Sequence, residues 1–214
     1  MTVVAPCITV ETTDDYSKAL ARLSPFAERV HIDISDGEFA PTFLVGPEQL
    51  SWPGNWHVNL HAMVAHPSQY VDALIALKPE LIIFHVEVQE DLLPILQRIK
   101  QMGIKAGVAL MRPTVPKDIT PLIEAADHAL IFSGDLGHYG GNASLMQLEK
   151  VRLIRTIHPD IEIGWDGGAS VDNVFSLSQG GVDVINAGGA INNADDPEVV
   201  YKRMVEEINK RSVI

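Results

Sequence analysis

Four polar residues stand where short apolar runs of this chain end, and their types suit metal binding or proton transfer. His31 and Asp33 lie two apart in Val30-His31-Ile32-Asp33-Ile34, so on an extended strand both side chains leave the same face. His61 lies in a second run, Asn59-Leu60-His61-Ala62-Met63, and Asp166 ends a third, Ile163-Gly164-Trp165-Asp166. Two imidazoles and two carboxylates brought to one point would form a nest for a divalent ion such as Zn, Fe, Mn or Co, or an acid–base site. Taken singly, a strand-end histidine is more often a satisfied core or loop residue, and an Asp before Gly a turn residue. Taken together they differ, because inward charges left uncompensated are costly.

Glycine is the second signal. The sixth apolar run is followed by Ser133-Gly134-Asp135-Leu136-Gly137-His138-Tyr139-Gly140-Gly141-Asn142, the seventh by Gly167-Gly168-Ala169-Ser170, and the eighth by Gly188-Gly189-Ala190. Backbone N–H groups at such turns can approach an anion closely, and a helix start beyond them adds a favourable dipole. Gly140, Gly141, Asn142, Gly167, Gly168, Gly188 and Gly189 are therefore candidate substrate contacts. His138 and Tyr139 in the same loop read as solvent-facing, with closure over a substrate as the alternative.

The elements that must position these groups follow from hydrophobic period. β-branched runs predict strands over 3–8, 30–34, 57–63, 81–87, 106–111, 129–133, 162–166 and 182–187. Helical spacing predicts helices over 16–22, 70–77, 92–102, 119–126, 145–157, 171–179 and 199–208. Asp14 or Asp15 and Ser170 mark helix starts, Gly103 and Gly180-Gly181 mark stops, and the Pro- and Gly-rich stretch 39–55 reads as a long loop. Eight strand–helix units in 214 residues predict one closed (β/α)8 TIM barrel domain over 1–214. The rival, an open doubly wound sheet, would carry a glycine-rich turn after its first strand, and Ile8-Thr9-Val10-Glu11-Thr12-Thr13 has no glycine. A barrel puts chemistry at the carboxyl ends of its strands, where the four polar residues and the glycine turns all fall.

Composition narrows the partners. Apolar residues make up 46% and charged residues 21%, as in ordered globular proteins, and 16 basic against 28 acidic residues give a net charge of −12. With no basic cluster, such a surface repels nucleic acid and anionic membranes, so neither is expected as a partner. Cys7 is the single cysteine, which excludes an intramolecular disulfide, and it reads as a buried small side chain rather than a nucleophile. No run approaches the roughly 18 to 20 apolar residues of a membrane span. The opening Met-Thr-Val-Val-Ala-Pro lacks a signal-peptide pattern, so a soluble cytoplasmic protein is expected, with the sequon Asn142-Ala143-Ser144 unused. Phe39, Phe43 and Leu44 read as exposed apolar residues for a substrate lid or for a subunit contact in an expected homo-oligomer.

With these residues in view, the sequence resembles the ribulose-phosphate 3-epimerase family, as a diverged member. The resemblance rests on His31-Ile32-Asp33-Ile34-Ser35-Asp36-Gly37, Phe39-Ala40-Pro41, His61-Ala62-Met63-Val64, Phe84-His85-Val86-Glu87, Gly103-Ile104-Lys105-Ala106-Gly107-Val108-Ala109-Leu110 and Asp166-Gly167-Gly168, in order across most of the chain. It implies a ribulose-phosphate-binding barrel in which His31, Asp33, His61 and Asp166 ligate one divalent metal ion per chain. It implies that Asp33 and Asp166 are the two acid–base groups of an isomerase acting on a small phosphorylated sugar in the pentose phosphate pathway. Inverting a carbon beside a ketone needs a base on each face, and a Lewis-acid metal stabilises the enediolate between the two transfers. Met63 looks like one of the family's methionines that cap the enediolate with polarizable sulfur.

The departures fall on substrate-contacting positions. Cys7 replaces the family's Ser after the first-strand Pro, and Thr9-Val10-Glu11 replaces its Ser-Ala-Asp stretch. Ser35 and Phe132 stand at methionine positions, Gly188-Gly189 replaces Gly-Ser, and the family's Asn-Pro-Gly-Phe-Gly-Gly-Gln loop has become residues 134–142. The first pair to expect is D-ribulose 5-phosphate and D-xylulose 5-phosphate, with allulose 6-phosphate as an alternative substrate and a non-catalytic metabolite-binding barrel as an alternative role. A Schiff-base lyase would need a lysine on a strand top, and Lys105 lies at the start of its strand. His85 and Glu87 read equally as support for His61 or as internal hydrogen bonding.

Overall fold

The apolar runs become strands because both of their faces are covered. In the computed structural model, which describes residues 2–136 and 141–210, β1 (Val3–Ile8), β2 (Arg29–Ser35), β3 (His57–Met63), β4 (Leu81–His85), β5 (Lys105–Leu110), β6 (His128–Phe132), β7 (Glu162–Asp166) and β8 (Val184–Ala187) pair in parallel and close into a barrel in chain order. The helices are α1 (Thr13–Leu23), α2 (Pro67–Ala76), α3 (Leu93–Gln101), α4 (Thr120–Ala125), α5 (Glu149–Ile157), α6 (Val174–Gln179), α7 (Gly189–Asn192) and α8 (Pro197–Ile208). Among the described residues no helix is long and apolar enough to cross a membrane.

Strand alternation divides the side chains between two layers. Val30, Ile32 and Ile34 of β2 join Val58, Leu60 and Ala62 of β3 in the large apolar layer beneath the helices. The intervening His31, Asp33, Asn59 and His61 are buried on the inner face. The barrel interior holds a small apolar plug of Leu81, Ile83, Ala109 and Leu130. Gly164 makes room there, since a Cβ at its position would lie 2.4 Å from Nε2 of the buried His128. At the amino ends of the strands Arg29 donates to both oxygens of Glu162, at 2.9 and 2.7 Å, and His128 Nδ1 lies 2.8 Å from the same carboxylate.

Several local expectations shift. Helix α1 begins earlier than the acidic pair suggested, because the Thr12 hydroxyl accepts from the Asp15 N–H at 3.1 Å and caps it. No α-helix follows β2; the long loop contains only a 3-10 turn, Pro47–Gln49, and an antiparallel bridge between Asp36 and Phe43. Residues Leu145–Leu148, expected to be helical, form a 3-10 turn ahead of α5, and the short α7 had no counterpart in the sequence reading. Leu44 is not exposed: it packs with Ala40 and Met63, and half-buried Phe39 rests on them, whereas Phe43 is 64% exposed.

Candidate active site

Register delivers the four polar residues to one mouth. Asp33 and His61 are direct partners across β2 and β3, and Asp166 ends β7. His61 Nδ1 lies 2.9 Å from Asp33 Oδ1 and 3.7 Å from Asp166 Oδ2. His31 Nε2 lies 3.2 Å from Asp33 Oδ1 and 3.8 Å from Asp166 Oδ2. One donor atom from each of the four falls within 4.8 Å of all the others.

The fit to a metal rests on His31. Its ring is wholly buried, and neither nitrogen has a hydrogen-bond partner. A buried imidazole nitrogen facing two carboxylates without a bond is unfavourable, and a cation between them would relieve that cost. Two nitrogens and two carboxylate oxygens suit Zn, Fe, Mn or Co. Without a cation the carboxylates behave differently. Burial pushes Asp33 up, but the charge of His31 beside it and the bond and charge from His61 outweigh it and hold the carboxyl well below the usual range. Asp166 is pushed up by burial and by the Asp33 charge. Thr9 donates its hydroxyl to Asp33 Oδ2.

Behind His61 runs a chain of further groups. His61 Nε2 lies 2.9 Å from His85 Nε2, and His85 Nδ1 lies 3.1 Å from Glu87 Oε2. Burial pulls the His85 pKa down to about 4, so the ring is neutral. A neutral His85 that donates from Nδ1 to Glu87 must accept at Nε2, which puts a proton on His61 Nε2 and leaves Nδ1, 2.9 Å from Asp33, as the nitrogen able to face a cation. Glu87 is held in turn by the Met111 N–H at 2.8 Å and by the Thr114 hydroxyl. Of the two readings left open by the sequence, support for His61 is the one the geometry matches.

A cavity of about 260 Å³ opens above these groups. Asp33, Asp166, Cys7 and Met63 line it, with Phe132 and Asn186 in the wall and Gly141, Gly167, Gly168, Gly188 and Gly189 at the rim. Cys7 is buried, and burial raises its thiol far from ionisation, in keeping with a packing role. Asn142 is exposed and does not line the cavity; its carbonyl accepts from Arg112 at 3.3 Å. Gly140, His138 and Tyr139 lie outside the described residues.

The rim demands glycine at two places. Gly167 and Gly168 have φ of +106° and +70°, and a Cβ on Gly167 would sit 2.0 Å from the Gly134 nitrogen. Trp165 Nε1 donates to the Gly167 carbonyl at 2.9 Å, and Asn173 Nδ2 to the Gly168 carbonyl at 2.8 Å. Both carbonyls are thus tied down behind the turn.

Comparison with known proteins bears on this mouth. The Ribulose-phosphate 3 epimerase family matches residues 3–192. The chain belongs to the ribulose-phosphate 3-epimerase family. Among its relatives, ribulose-phosphate 3-epimerase of Schizosaccharomyces pombe is 28% identical over 214 residues, covering 97% of this chain and 94% of the relative. That of Helicobacter pylori is 32% identical over 184 residues (82% and 84%), and that of Escherichia coli K12 is 31% identical over 204 residues (91% and 87%). The fold is shared more widely. A ligand complex of KGPDC from Streptococcus mutans aligns at a TM-score of 0.74, 13% identity and 97% coverage of each chain. 3-Hexulose-6-phosphate synthase from Salmonella typhimurium aligns at 0.70, 15% identity, and 97% and 98% coverage. This epimerase-family chain is an isomerase on a TIM barrel.

Some groups around the mouth of this family member escaped the sequence reading. Lys150 of α5 is buried and donates to the Met111 and Arg112 carbonyls at 2.6 and 3.0 Å, with its pKa lowered by burial to about 8. Arg112 reaches across to the Ser133 carbonyl and ties the β6 loop to the β5 loop. Both residues bond to backbone tens of positions away, which no local pattern signals. Asn186 was legible as the polar residue in a strand of apolar neighbours, two positions before Gly188.

Proposed function

We propose that the protein interconverts the C3 epimers of a ketose phosphate, with D-ribulose 5-phosphate and D-xylulose 5-phosphate as the pair, and depends on one divalent ion per chain. The observation that carries this is the buried, unbonded Nε2 of His31 among the donor atoms of Asp33, His61 and Asp166. An ion held by those four residues would supply Lewis-acid compensation for negative charge on the substrate oxygens and offset the repulsion between the two carboxyl groups.

The chain's own residues supply the rest. Asp33 from β2 and Asp166 from β7 reach one point from different sides of the mouth. One takes the C3 proton, and the C–H electron pair moves into the enediolate double bond. A proton carried by the other returns to C3 on the opposite face, and the reverse reaction exchanges the roles. Met63 and Phe132 offer polarizable, weakly hydrogen-bonding wall against the planar intermediate. No Lys or Arg is among the described residues lining the cavity. The phosphate is therefore assigned to backbone N–H groups of the Gly167, Gly168 and Ala169 turn, facing Gly188 and Gly189, with Gly141 at the rim. Asp135 also lines the cavity, but it is exposed, where solvent and salt screen its charge. The absence of a lysine among those described lining residues leaves Schiff-base chemistry without its amine.

The test strips the protein with a chelator, restores Mn, Fe, Co or Zn singly, and assays both pentulose phosphates and allulose 6-phosphate in deuterated water. Metal-dependent turnover with deuterium entering at C3 is expected. Metal-loaded protein that turns over none of these sugars overturns the proposal.

A further inference from the structure

Asn186 is a buried polar side chain of this cavity that nothing above employs. It lies on β8, is 1% exposed and lines the cavity, and among the described residues neither its Oδ1 nor its Nδ2 has a hydrogen-bond partner. A buried carboxamide left wholly unpaired weakens a fold, and an aliphatic side chain of the same shape would not carry that cost. Its strand neighbours Val184, Ile185 and Ala187 are all apolar, so nothing on β8 itself asks for an amide. In register it faces Ala5 on one side and Asp166 on the other. Ala5 is too small to fill the space or bond the amide, which leaves it turned to the same cavity as Asp166.

We infer that Asn186 is a substrate-binding, specificity-determining residue that hydrogen-bonds a hydroxyl group of the sugar. This rests on the epimerase reading and deepens it. The placement says which part of the sugar is involved. Asn186 sits one strand from Asp166, at the reacting carbon, and two residues below Gly188, at the phosphate end. The substrate atoms between those points are the carbon chain running from C3 toward the phosphate. A carboxamide both donates and accepts, which matches a hydroxyl on that segment and not an unsubstituted methylene. A site built to bond a hydroxyl discriminates strongly against a substrate lacking it, because its own polar atoms are then stranded.

The test compares wild type with Asn186→Leu, which keeps the branching and removes the polar atoms. Three measurements are made on each: metal content, kcat/KM for D-ribulose 5-phosphate, and the melting temperature of substrate-free protein. The expected result is unchanged metal content, kcat/KM lower by at least about tenfold, equivalent to ~1.4 kcal/mol, and a melting temperature equal to or above that of wild type. A lowered melting temperature with kcat/KM within about twofold overturns the inference, because a structural amide behaves that way. If Asn186→Leu does not fold, Asn186→Ala carries the same kinetic comparison. Wild type that binds D-ribulose 5-phosphate without epimerising it removes the epimerase reading alone. Asn186 is then judged by the melting shift the sugar induces, present in wild type and lost in the variant if the inference holds. No shift in either protein overturns both.

Discussion

Replacing His85 by Phe removes the hydrogen-bond acceptor behind the candidate metal site together with the donor to Glu87, and leaves the packing in place. The ring already sits among aromatic neighbours, with centroids 4.9 Å from Phe39 and 5.5 Å from Phe132, so a phenyl group fits the space. What is lost is the partner of His61 Nε2, now at 2.9 Å and fully buried. Stranding a buried N–H costs roughly 1–3 kcal/mol, and residues that orient a metal-binding histidine typically contribute about 10–100-fold in affinity. Without the acceptor, the proton of His61 is free to move to Nδ1, where it competes directly with a cation. The dissociation constant for Zn, measured by competition with a chromophoric chelator, is expected to rise about 10–100-fold with the circular dichroism spectrum unchanged. Glu87→Gln, one step further back, is expected to act in the same direction and less strongly. Wild-type affinity in correctly folded His85→Phe protein would refute the role given to the His61–His85–Glu87 chain.

The acid–base assignment predicts that Asp33→Asn and Asp166→Asn each lower kcat by about 100-fold to 10,000-fold; near-normal turnover by either variant removes the two-base scheme. Stability is expected to fall on acidification through the amino-end cluster. Burial raises Glu162, but His128 and Arg29 overcome it and hold its carboxyl well below the usual range, so its stabilisation exists above the unfolded carboxylate pKa and is lost as pH falls through the folded one. His128 is pulled down by burial against the pull of Glu162, so its neutral form favours folding above its unfolded pKa, about 6.5, and that advantage also fades with acid. The melting temperature should therefore drop from pH 7 into the acid range, and below about pH 4.3, the ordinary Glu pKa, the drop should be shallower in Glu162→Gln; equal pH slopes there would contradict this. Gly167→Ala is expected to destabilise the β7 turn and abolish activity, because φ of +106° and a Cβ 2.0 Å from the Gly134 nitrogen cannot both be accommodated. A folded, active Gly167→Ala protein would show that the turn is not the rigid rim described.

The metal-site geometry also accounts for an unusual barrel interior. Most of the apolar side chains pack outside the strands, between barrel and helices, while the inner face carries His31, Asp33, Asn59, His61, His85, His128 and Asn186. Hydrophobic burial in the outer layer holds the fold. That leaves the inner face free to present polar groups whose desolvation is offset by one another and, at the mouth, by the cation proposed there.

Much of this was written in local pattern. All eight strands matched runs of β-branched residues to within two or so positions, because strands buried on both faces need continuous apolar sequence. The two-residue period placed His31 with Asp33, and the chain order of strands placed His61 and Asp166 on the same rim. Positive φ at Gly103, Gly167, Gly168 and Gly181 agrees with glycines read as stops and turns. The loop after β2 was recognised only as a loop, since its packing of Leu44 under Phe39 depends on contact with Met63 of the next strand.

The sequence by itself therefore determined the fold class, the family and the identity of the four mouth residues, since these depend on periodicity and order along the chain. Only the tertiary structure decided which nitrogen of His61 faces the site, that His31 and Asn186 are left without partners, and that Lys150 and Arg112 brace the rim. Those outcomes turn on distances between side chains and backbone from different strands and helices, which barrel closure fixes and no local pattern encodes.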